Sequence, residues 1–392
     1  MGEHAIAHAA QRPTMPSRRF VFVLNGLLLG GAERQAILLA RHLKERCGAD
    51  VTVTAFGRPG KAAELCDRMG VPWRMVPFRW EPGRLKRTAM LLRVARDLRR
   101  LRPDVLLPYT MHPNVVCGLI WQLTGARLCM WNQRDEGRQR VEPRWERLAV
   151  RRMPWFASNS AHGADFVTNT LGAPRDRMLV IHNGVEPASP AKDRAAWRAS
   201  LELGEDVFVA CMAANLHGFK DHATLLNAWR VVQDRMDACR QAALILAGRP
   251  ENTGEALKAQ AFDLNLGRSV RFPGAVDDVA GLFAASDLCV FSSQWEGVPN
   301  GILEGMVAGL PVVATDIPGI REAVGENGAG ILAPPADHEA MADAILQVME
   351  NPDMARRMGE AGRERILTEF SPEKMVRETV EWIEEGLRRH GR

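Results

Sequence analysis

The sequence has few of the features that mark a disulfide-rich, zinc-binding or membrane-spanning protein. Its 392 residues include seven cysteines, and no two of them form a Cys-x-x-Cys pair. This odd number and spacing argue against a disulfide framework or a structural zinc site, and they predict buried free thiols in a reducing cytoplasm. No stretch approaches the roughly 20 apolar residues that a membrane-spanning helix needs.

The chain also lacks a large excess of charge. Its formal net charge is +4, which gives no reason to expect nucleic-acid binding. Hydrophobic residues make up 46% and charged residues 25%, which is typical of a soluble globular protein. Because single hydrophobic cores rarely extend over so long a chain, two domains are expected.

The N-terminal segment has some features of a signal peptide. Arg18 and Arg19 precede the apolar run 20–24, but Asn25 interrupts the run and charge returns at Glu33. A disordered basic tail over 1–19, followed by a first buried strand, fits this pattern better.

Short apolar runs alternate with amphipathic segments in two successive series. In the first, strands are predicted at 20–25, 51–55, 104–108, 127–131 and 155–158, and helices at 31–46, 84–101, 112–123 and 160–171. In the second, strands are predicted at 207–210, 243–246, 270–272, 288–291 and 311–314, and helices at 220–236, 254–265, 279–285 and 299–308, with 337–390 helical. Such alternation indicates βαβ units and parallel sheets, so we predict an α/β protein with two Rossmann-like, doubly wound domains.

Turn and proline residues separate the two series. Asn183-Gly184 is followed by Pro187 and Pro190, which favours a hinge over 184–192. We therefore predict an N-terminal domain over 20–183 and a C-terminal domain over 193–370. The remaining segment, 371–392, is predicted to be a helix that can cross back to the N-terminal domain.

Two glutamates stand eight residues apart where a predicted strand leads into a helix. Glu296 precedes helix 299–308, Glu304 lies within it, and Pro299 suits its first turn. A helix N-terminus offers unpaired amides to an anion, and Gly297 and Gly301 are expected to let a ligand approach closely. The two carboxylates could hold hydroxyl groups on a sugar and a ribose. A glutamate favoured by the helix dipole and an exposed glutamate further on fit the spacing equally well.

Several separated motifs resemble those of glycosyltransferase family 4 of the GT-B fold, and they occur along the chain in the family's order. The resemblance rests on 295–299, 309–316, Gly30-Gly31-Ala32-Glu33, Asn183-Gly184-Val185, Phe272-Pro273-Gly274 and 318–322. It implies two Rossmann-like domains facing a cleft. It also implies a retaining enzyme that moves a hexose-type sugar from a nucleotide-diphosphate sugar to an acceptor, in polysaccharide, glycolipid or glycoconjugate biosynthesis.

The resemblance assigns most site residues to the C-terminal domain. It implies that Glu296 orients the transferred sugar, Glu304 holds the ribose, and Lys220 neutralises the diphosphate as the leaving group develops charge. The implied donor-binding set is Gly30, Gly31, Asn215, Lys220, Gly274, Ala275, Glu296, Gly297, Val298, Asn300 and Glu304. Within it, the backbone near Gly274 and Ala275 would meet the base.

One position departs from the family pattern. The family often has an arginine five residues before the lysine, and here that position is Asn215, which has no charge. Phosphate stabilisation would therefore depend more on Lys220. Taken alone, Lys220 would be a solvated lysine at a helix start.

The N-terminal half supplies two further candidate positions. Gly30-Gly31 would open a second anion-binding helix end. Without the other motifs, a plain strand-to-helix turn would be the favoured interpretation. His112 follows strand 104–108 and begins a helix, as does a family histidine near the donor. A lone histidine is usually structural, but this position favours a functional role. With Glu296 and Lys220, His112 completes the implied catalytic set, but no general base can be assigned.

No Asp-x-Asp motif is present in the sequence. Carboxylate-bound Mg²⁺ is the usual alternative to lysine and helix dipoles for handling a nucleotide diphosphate. We therefore expect no metal and no cofactor besides the nucleotide-sugar substrate.

The segment 79–102 is strongly basic. It carries nine Arg or Lys against Glu81 and Asp97, a local charge of +7. A helix over 84–101 with its apolar stripe could lie on an anionic membrane or attract an anionic, lipid-linked acceptor. A core-packed helix with a solvated outer face is the simpler interpretation. The expected location is cytoplasmic, with peripheral contact at the inner face of the membrane in the first case.

Three other functions share parts of this pattern. A dinucleotide-dependent oxidoreductase needs Gly-x-Gly-x-x-Gly after the first strand, and 25–31 does not fit that motif. A nucleotide-sugar epimerase on the same fold would keep the donor site and use no acceptor. A non-catalytic nucleotide-binding scaffold is favoured only by Asn215.

Overall fold

The computed structural model describes Met15, residues 17–137 and residues 140–390. The described chain divides into two compact units. The first unit takes its residues from Met1–Ser158, Ala164–Ile181 and Glu373–Arg392, and the second from Asn159–Gly163 and His182–Pro372.

The first unit is built on a seven-stranded parallel sheet. Its strands are β1 (Arg19–Leu24), β2 (Asp50–Ala55), β3 (Trp73–Met75), β4 (Val105–Pro108), β5 (Leu128–Gln133), β6 (Trp155–Ser158) and β7 (Met178–Val180). Their order in the sheet is β3-β2-β1-β4-β5-β6-β7. Runs such as 20–24 are buried throughout, as expected for strands covered on both faces.

Helices cover both faces of this sheet. They are α1 (Gly31–Cys47), α2 (Lys61–Arg68), α3 (Arg84–Arg99), α4 (Met111–Thr124), α5 (Pro143–Arg152) and α6 (Ala161–Asp165), and the last of these begins in the second unit. A π-helical turn (Phe166–Thr170) extends α6, so the single helix predicted over 160–171 is not regular.

The second unit contains a six-stranded parallel sheet. Its strands are β8 (Phe208–Ala213), β9 (Ala242–Ala247), β10 (Val270–Gly274), β11 (Leu288–Phe291), β12 (Val312–Thr315) and β13 (Gly330–Ala333), in the order β10-β9-β8-β11-β12-β13. Its helices are α7 (Arg194–Ser200), α8 (His222–Arg235), α9 (Gly254–Asp263), α10 (Val279–Ala284), α11 (Asn300–Val307), α12 (Pro318–Val324), α13 (His338–Glu350) and α14 (Pro352–Glu369). These two parallel sheets with alternating helices confirm the predicted fold class.

The last helix, α15 (Pro372–His390), packs in the first unit. Trp155 of β6 donates its indole N–H to the Trp382 carbonyl at 2.8 Å, and Trp382 donates to the Phe156 carbonyl at 2.9 Å. Their rings lie 4.2 Å apart, and Val380 and Ile383 are fully buried. The chain therefore ends on a different unit from the one that precedes α15.

Most of the predicted tail 1–19 lies outside the described residues. Of the part that is described, Met15 is buried and its amide donates to the Cys47 carbonyl at 2.9 Å. The first strand already begins at Arg19.

All seven cysteines lie within the described residues and are unpaired. Six are buried, as the sequence predicted, and burial raises the pKa of Cys66 and Cys211 to about 12. Cys239 is exposed, so the prediction of burial was wrong there, because this residue lies in the turn after α8. Among the helices of the described residues, none is long and apolar enough to cross a membrane.

Candidate functional site

The strand order of the second unit's sheet reverses between β8 and β11. From this point the chain winds outward through β9 and β10 on one side and through β12 and β13 on the other. Ligands of open parallel sheets bind beyond the carboxyl ends of the strands at such a reversal. Lys220 follows β8 and Glu296 follows β11, so both belong to this position.

Lys220 and Glu296 form an ion pair between the Lys220 ammonium and Glu296 Oε1. Only 16% of the lysine side chain and 9% of the glutamate side chain are exposed. Ser293 donates its hydroxyl to the same carboxylate oxygen at 2.9 Å. Lys220 is therefore not a solvated surface lysine. The contact of Ser293 with Glu296 was not predicted from the sequence.

Hydrogen bonds between the loops after β8 and β11 hold this pair in place. Ser292 donates to the Lys220 carbonyl at 3.0 Å, and the Gln294 amide donates to the Phe219 carbonyl at 2.9 Å. The Gln294 side chain also donates to Asp221, whose carboxylate caps α8 through the Thr224 amide. Helix α8 therefore begins at His222, two residues later than predicted, and Lys220 lies in a short 3₁₀ turn. An Asp before a helical pattern was the signal for this cap.

Helix α11 begins directly after the Glu296 loop. Pro299 is its N-cap residue. The prediction that Pro299 lies in the first turn was therefore wrong by one position. Gly301 does not face a ligand-sized space, because a Cβ there would lie 2.6 Å from the Ala213 carbonyl oxygen and 2.9 Å from the Phe291 ring. This glycine serves the packing of α11 against β8 and β11, so the prediction of a close ligand approach at Gly301 was wrong.

The other residues expected at the donor site differ in burial and in the contacts of their side chains. Glu304 is half-buried one turn after Asn300, so it is not the exposed glutamate of the alternative interpretation. The Asn300 side-chain oxygen accepts a hydrogen bond from Asn183 at 2.7 Å. Val298 is buried in the core, and Gly297 is buried beneath α12. The side chains of Asn300 and Val298 therefore have structural roles, whether or not their backbone amides also bind a ligand.

Three expected residues lie at the ends of β8 and β10. Gly274 ends β10 with a φ of 76°, a conformation that favours glycine, and Ala275 beside it is exposed. The Asn215 side chain bonds to the loop after β9, donating to Glu251 at 3.1 Å. All three positions are at the carboxyl edge of the sheet that also carries Lys220.

The first unit has a corresponding reversal between β1 and β4. Gly30 and Gly31 follow β1 and open α1, and His112 follows β4 at the start of α4. The His112 ring stacks on Trp80 at 6.0 Å, and Trp80 stacks on Trp145 at 6.5 Å. Burial lowers the pKa of His112, so its imidazole is neutral near pH 7. The two tryptophans were missed because they lie far from His112 in sequence.

The two halves of the basic helix α3 differ in burial. Val94, Ala95 and Leu98 in its C-terminal half are buried in the core, whereas Leu85 and Leu92 are 88% and 53% exposed. The predicted apolar stripe is therefore only partly core-packed. Within the described ranges, no group of three His, Cys, Asp or Glu side chains is placed to hold a metal ion.

The fold matches that of solved glycosyltransferases of the GT-B fold. The structure of Anabaena Alr3699/HepE in complex with UDP and glucose superimposes with a TM-score of 0.81 at 21% identity, covering 94% of this chain and 100% of that one. The same protein has been solved with UDP-glucose, with a TM-score of 0.80. At this level of identity the likeness defines the fold class.

Sequence profiles define the family within that class. Residues 29–189 match the family described as Glycosyltransferase Family 4, and residues 193–365 match Glycosyl transferases group 1. The chain belongs to glycosyltransferase family 4.

Curated relatives match over part of their length. The chain is 30% identical to a D-inositol 3-phosphate glycosyltransferase of Streptomyces scabiei, over 55% of this chain and 50% of that protein. It is 34% identical to an N-acetyl-alpha-D-glucosaminyl L-malate synthase of Bacillus anthracis, over 53% and 54% respectively. The matched part thus spans about half the length of these relatives.

Proposed function

We propose that this protein is a retaining glycosyltransferase that moves a hexose-type sugar from a nucleotide-diphosphate sugar to an acceptor. The observation that carries the proposal is the Lys220–Glu296 pair at the sheet reversal between β8 and β11. Family membership and the nucleotide sugar bound by the Anabaena protein support the same chemistry.

Lys220 is proposed to stabilise the leaving group. When the bond between the sugar carbon and the diphosphate oxygen breaks, negative charge grows on that oxygen. An ammonium group has three N–H donors, so Lys220 can keep its contact with Glu296 and still donate to a phosphate. In a largely desolvated position this charge stabilises the transition state more than it would in water. The first amides of α11 would add to the same effect.

Glu296 is proposed to orient the transferred sugar. Its Oε1 is occupied by Lys220 and Ser293, which fixes the carboxylate plane. The other oxygen of that group can then accept hydrogen bonds from sugar hydroxyls. A carboxylate held in this way is pre-organised and loses little side-chain entropy on binding.

Glu304, Gly274 and Ala275 are proposed to hold the nucleoside, and Gly30, Gly31 and His112 to contact the substrate from the first unit. Because the His112 pKa is lowered, its imidazole would donate one hydrogen bond as a neutral group. Retention of the anomeric configuration follows from the family resemblance, and we propose no general base.

Incubation with UDP-glucose, GDP-mannose and ADP-glucose, followed by proton NMR, tests this function. A nucleoside diphosphate should be released, faster with an acceptor, and the product should have the donor's anomeric configuration. An isomerised sugar nucleotide without acceptor dependence would indicate an epimerase. Binding without any turnover would indicate a scaffold, and an inverted product would contradict retention.

We also propose that α3 brings the enzyme to an anionic surface at the inner face of the membrane, where a lipid-linked acceptor would be available. Leu85 and Leu92 are exposed next to Arg84, Lys86 and Arg96, which are also exposed. An exposed apolar stripe flanked by cations suits shallow insertion between anionic head groups.

A further inference from the structure

The loops after β8, β9 and β10 meet at one edge of the second unit's sheet. The Gly248 amide donates to the Gly274 carbonyl at 2.8 Å, and the Leu216 amide donates to the Arg249 carbonyl at 2.9 Å. Thr253 donates its hydroxyl to the Leu216 carbonyl at 2.7 Å. The segment from Gly248 to Thr253 is therefore fixed between the position after β8 and the end of β10.

Arg249 brings a guanidinium group to this edge. Its side chain is 34% exposed and donates to Glu251 at 3.1 Å. Asn215 links the two loops, because its side-chain oxygen accepts from the Arg249 amide at 3.2 Å and its side-chain nitrogen donates to Glu251 at 3.1 Å. Asn215 itself is uncharged, so Arg249 supplies the positive charge at this position.

The balance of charges at the site favours a second cation. A nucleoside diphosphate brings more than one negative charge, and the positive charge of Lys220 is offset by Glu296. The backbone from Asn215 to Lys220 is a compact turn, in which the His217 amide donates to the Asn215 carbonyl and the Lys220 amide to the His217 carbonyl, both at 2.8 Å. Arg249 is bonded to the start of this turn and Lys220 ends it.

We propose that Arg249 is a second phosphate-binding residue of the donor site, with Asn215 as the residue that positions it. The inference rests on the proposed function and extends it. The partner that Arg249 has now, Glu251, is easily replaced, because an ion pair between partly exposed side chains contributes only about 0–1 kcal/mol. A planar guanidinium donating two hydrogen bonds to a phosphate is the stronger arrangement.

Calorimetric titration with UDP, GDP and ADP, and with the matching nucleosides, tests this assignment. For the diphosphate that binds the wild type, Arg249→Gln should weaken binding about 10- to 100-fold and leave nucleoside binding unchanged. Arg249→Lys should lose less. Arg268→Gln is the matched control, since Arg268 is exposed and precedes β10 at the opposite edge of the sheet.

Two further variants separate a phosphate contact from a structural role. Glu251→Gln should leave diphosphate affinity unchanged or raise it, because the competing carboxylate is gone. Asn215→Ala should weaken binding in the wild type but add nothing in the Arg249→Gln background, since it acts through Arg249.

Equal diphosphate affinity in Arg249→Gln and the wild type would overturn this inference and leave the proposed function standing. Weaker binding in Glu251→Gln, or additive losses in the double variant, would also overturn it. Failure of the wild type to bind any of the three diphosphates would contradict the proposed function itself.

Discussion

Lys220 and Glu296 are 76 residues apart in sequence and form an ion pair at the carboxyl edge of one sheet. The pair exists because β8 and β11 are neighbours while the residues between them form β9, β10 and three helices. The strand order thus brings together a cation and a carboxylate that are distant in sequence.

The first prediction concerns Glu304. If its carboxylate holds the ribose, Glu304→Ala should weaken nucleoside diphosphate binding by about 1.5–3 kcal/mol, the worth of a charge-assisted hydrogen bond. Titration calorimetry measures this directly. Glu255→Ala is the control, because Glu255 lies on α9 with its side chain 89% exposed. Unchanged affinity in Glu304→Ala would remove this residue from the site.

The second prediction concerns pH and His222, which follows Lys220 and Asp221. His222 is 1% exposed, and in the described residues neither ring nitrogen has a hydrogen-bond partner. Burial, with the nearby Lys220 charge, lowers the pKa of His222 to about 3. The unfolded chain therefore takes up a proton that the folded chain does not, and stability falls as pH drops below about 6.5.

Urea unfolding of the second unit checks this prediction. Between about pH 6 and pH 5, His222 should contribute a loss approaching 1.4 kcal/mol per pH unit, and His222→Asn should lack this contribution. His338→Asn is the control, because the His338 side chain is 45% exposed. Parallel pH profiles for wild type and His222→Asn would show that His222 is not held neutral.

Features of the site that depend on residues close together in sequence could be predicted, whereas features that depend on contacts between distant residues could not. Helix and strand patterns placed Lys220 after β8 and Glu296 after β11, because buried apolar runs such as 288–291 identify strands directly. The role of Gly301 could not be predicted, since it depends on contact with Ala213, which is distant in sequence. The same holds for the Asn183–Asn300 bond and for the stacking of His112 on Trp80.

The fold was predictable to a similar degree. The strands β3 and β7 were not predicted. Each has only three residues, none of them fully buried, so neither is long enough to show a strand pattern in the sequence. The short helices α2, α5, α7 and α12 and the strand β13 were missed as well. The longer helices were predicted to within a few residues, because their apolar faces span several turns.

The third prediction is that turnover needs no divalent metal. Lys220 and the first amides of α11 are proposed to carry the leaving-group charge, so excess EDTA should leave the initial rate unchanged. The measurement compares rates in EDTA, in Mg²⁺ and in Mn²⁺. A loss of activity in EDTA that Mg²⁺ or Mn²⁺ restores would show that a metal takes part.

The fourth prediction concerns α3. Replacing Arg84, Lys86 and Arg96 with Gln should reduce sedimentation with anionic liposomes at low salt, because each cation near an anionic surface contributes about 1 kcal/mol. Leu85→Ser with Leu92→Ser should reduce it too, and neither change should affect donor hydrolysis. Gln at Arg268, Arg357 and Arg363, which are exposed in the second unit, removes the same charge elsewhere. If wild type does not sediment, the membrane contact is wrong.

Glu296→Gln separates the two roles proposed for this pair, in which Glu296 orients the sugar and Lys220 binds the diphosphate. Turnover and diphosphate affinity should be measured for this variant side by side, with Glu360→Gln on α14 as the exposed control. Turnover should fall about 10- to 100-fold in this variant, because charge-assisted contacts to the sugar are lost. Nucleoside diphosphate affinity should be unchanged or tighter, because Lys220 loses a competing carboxylate. Turnover equal to that of the wild type, or an equal loss of turnover and affinity, would contradict these two roles.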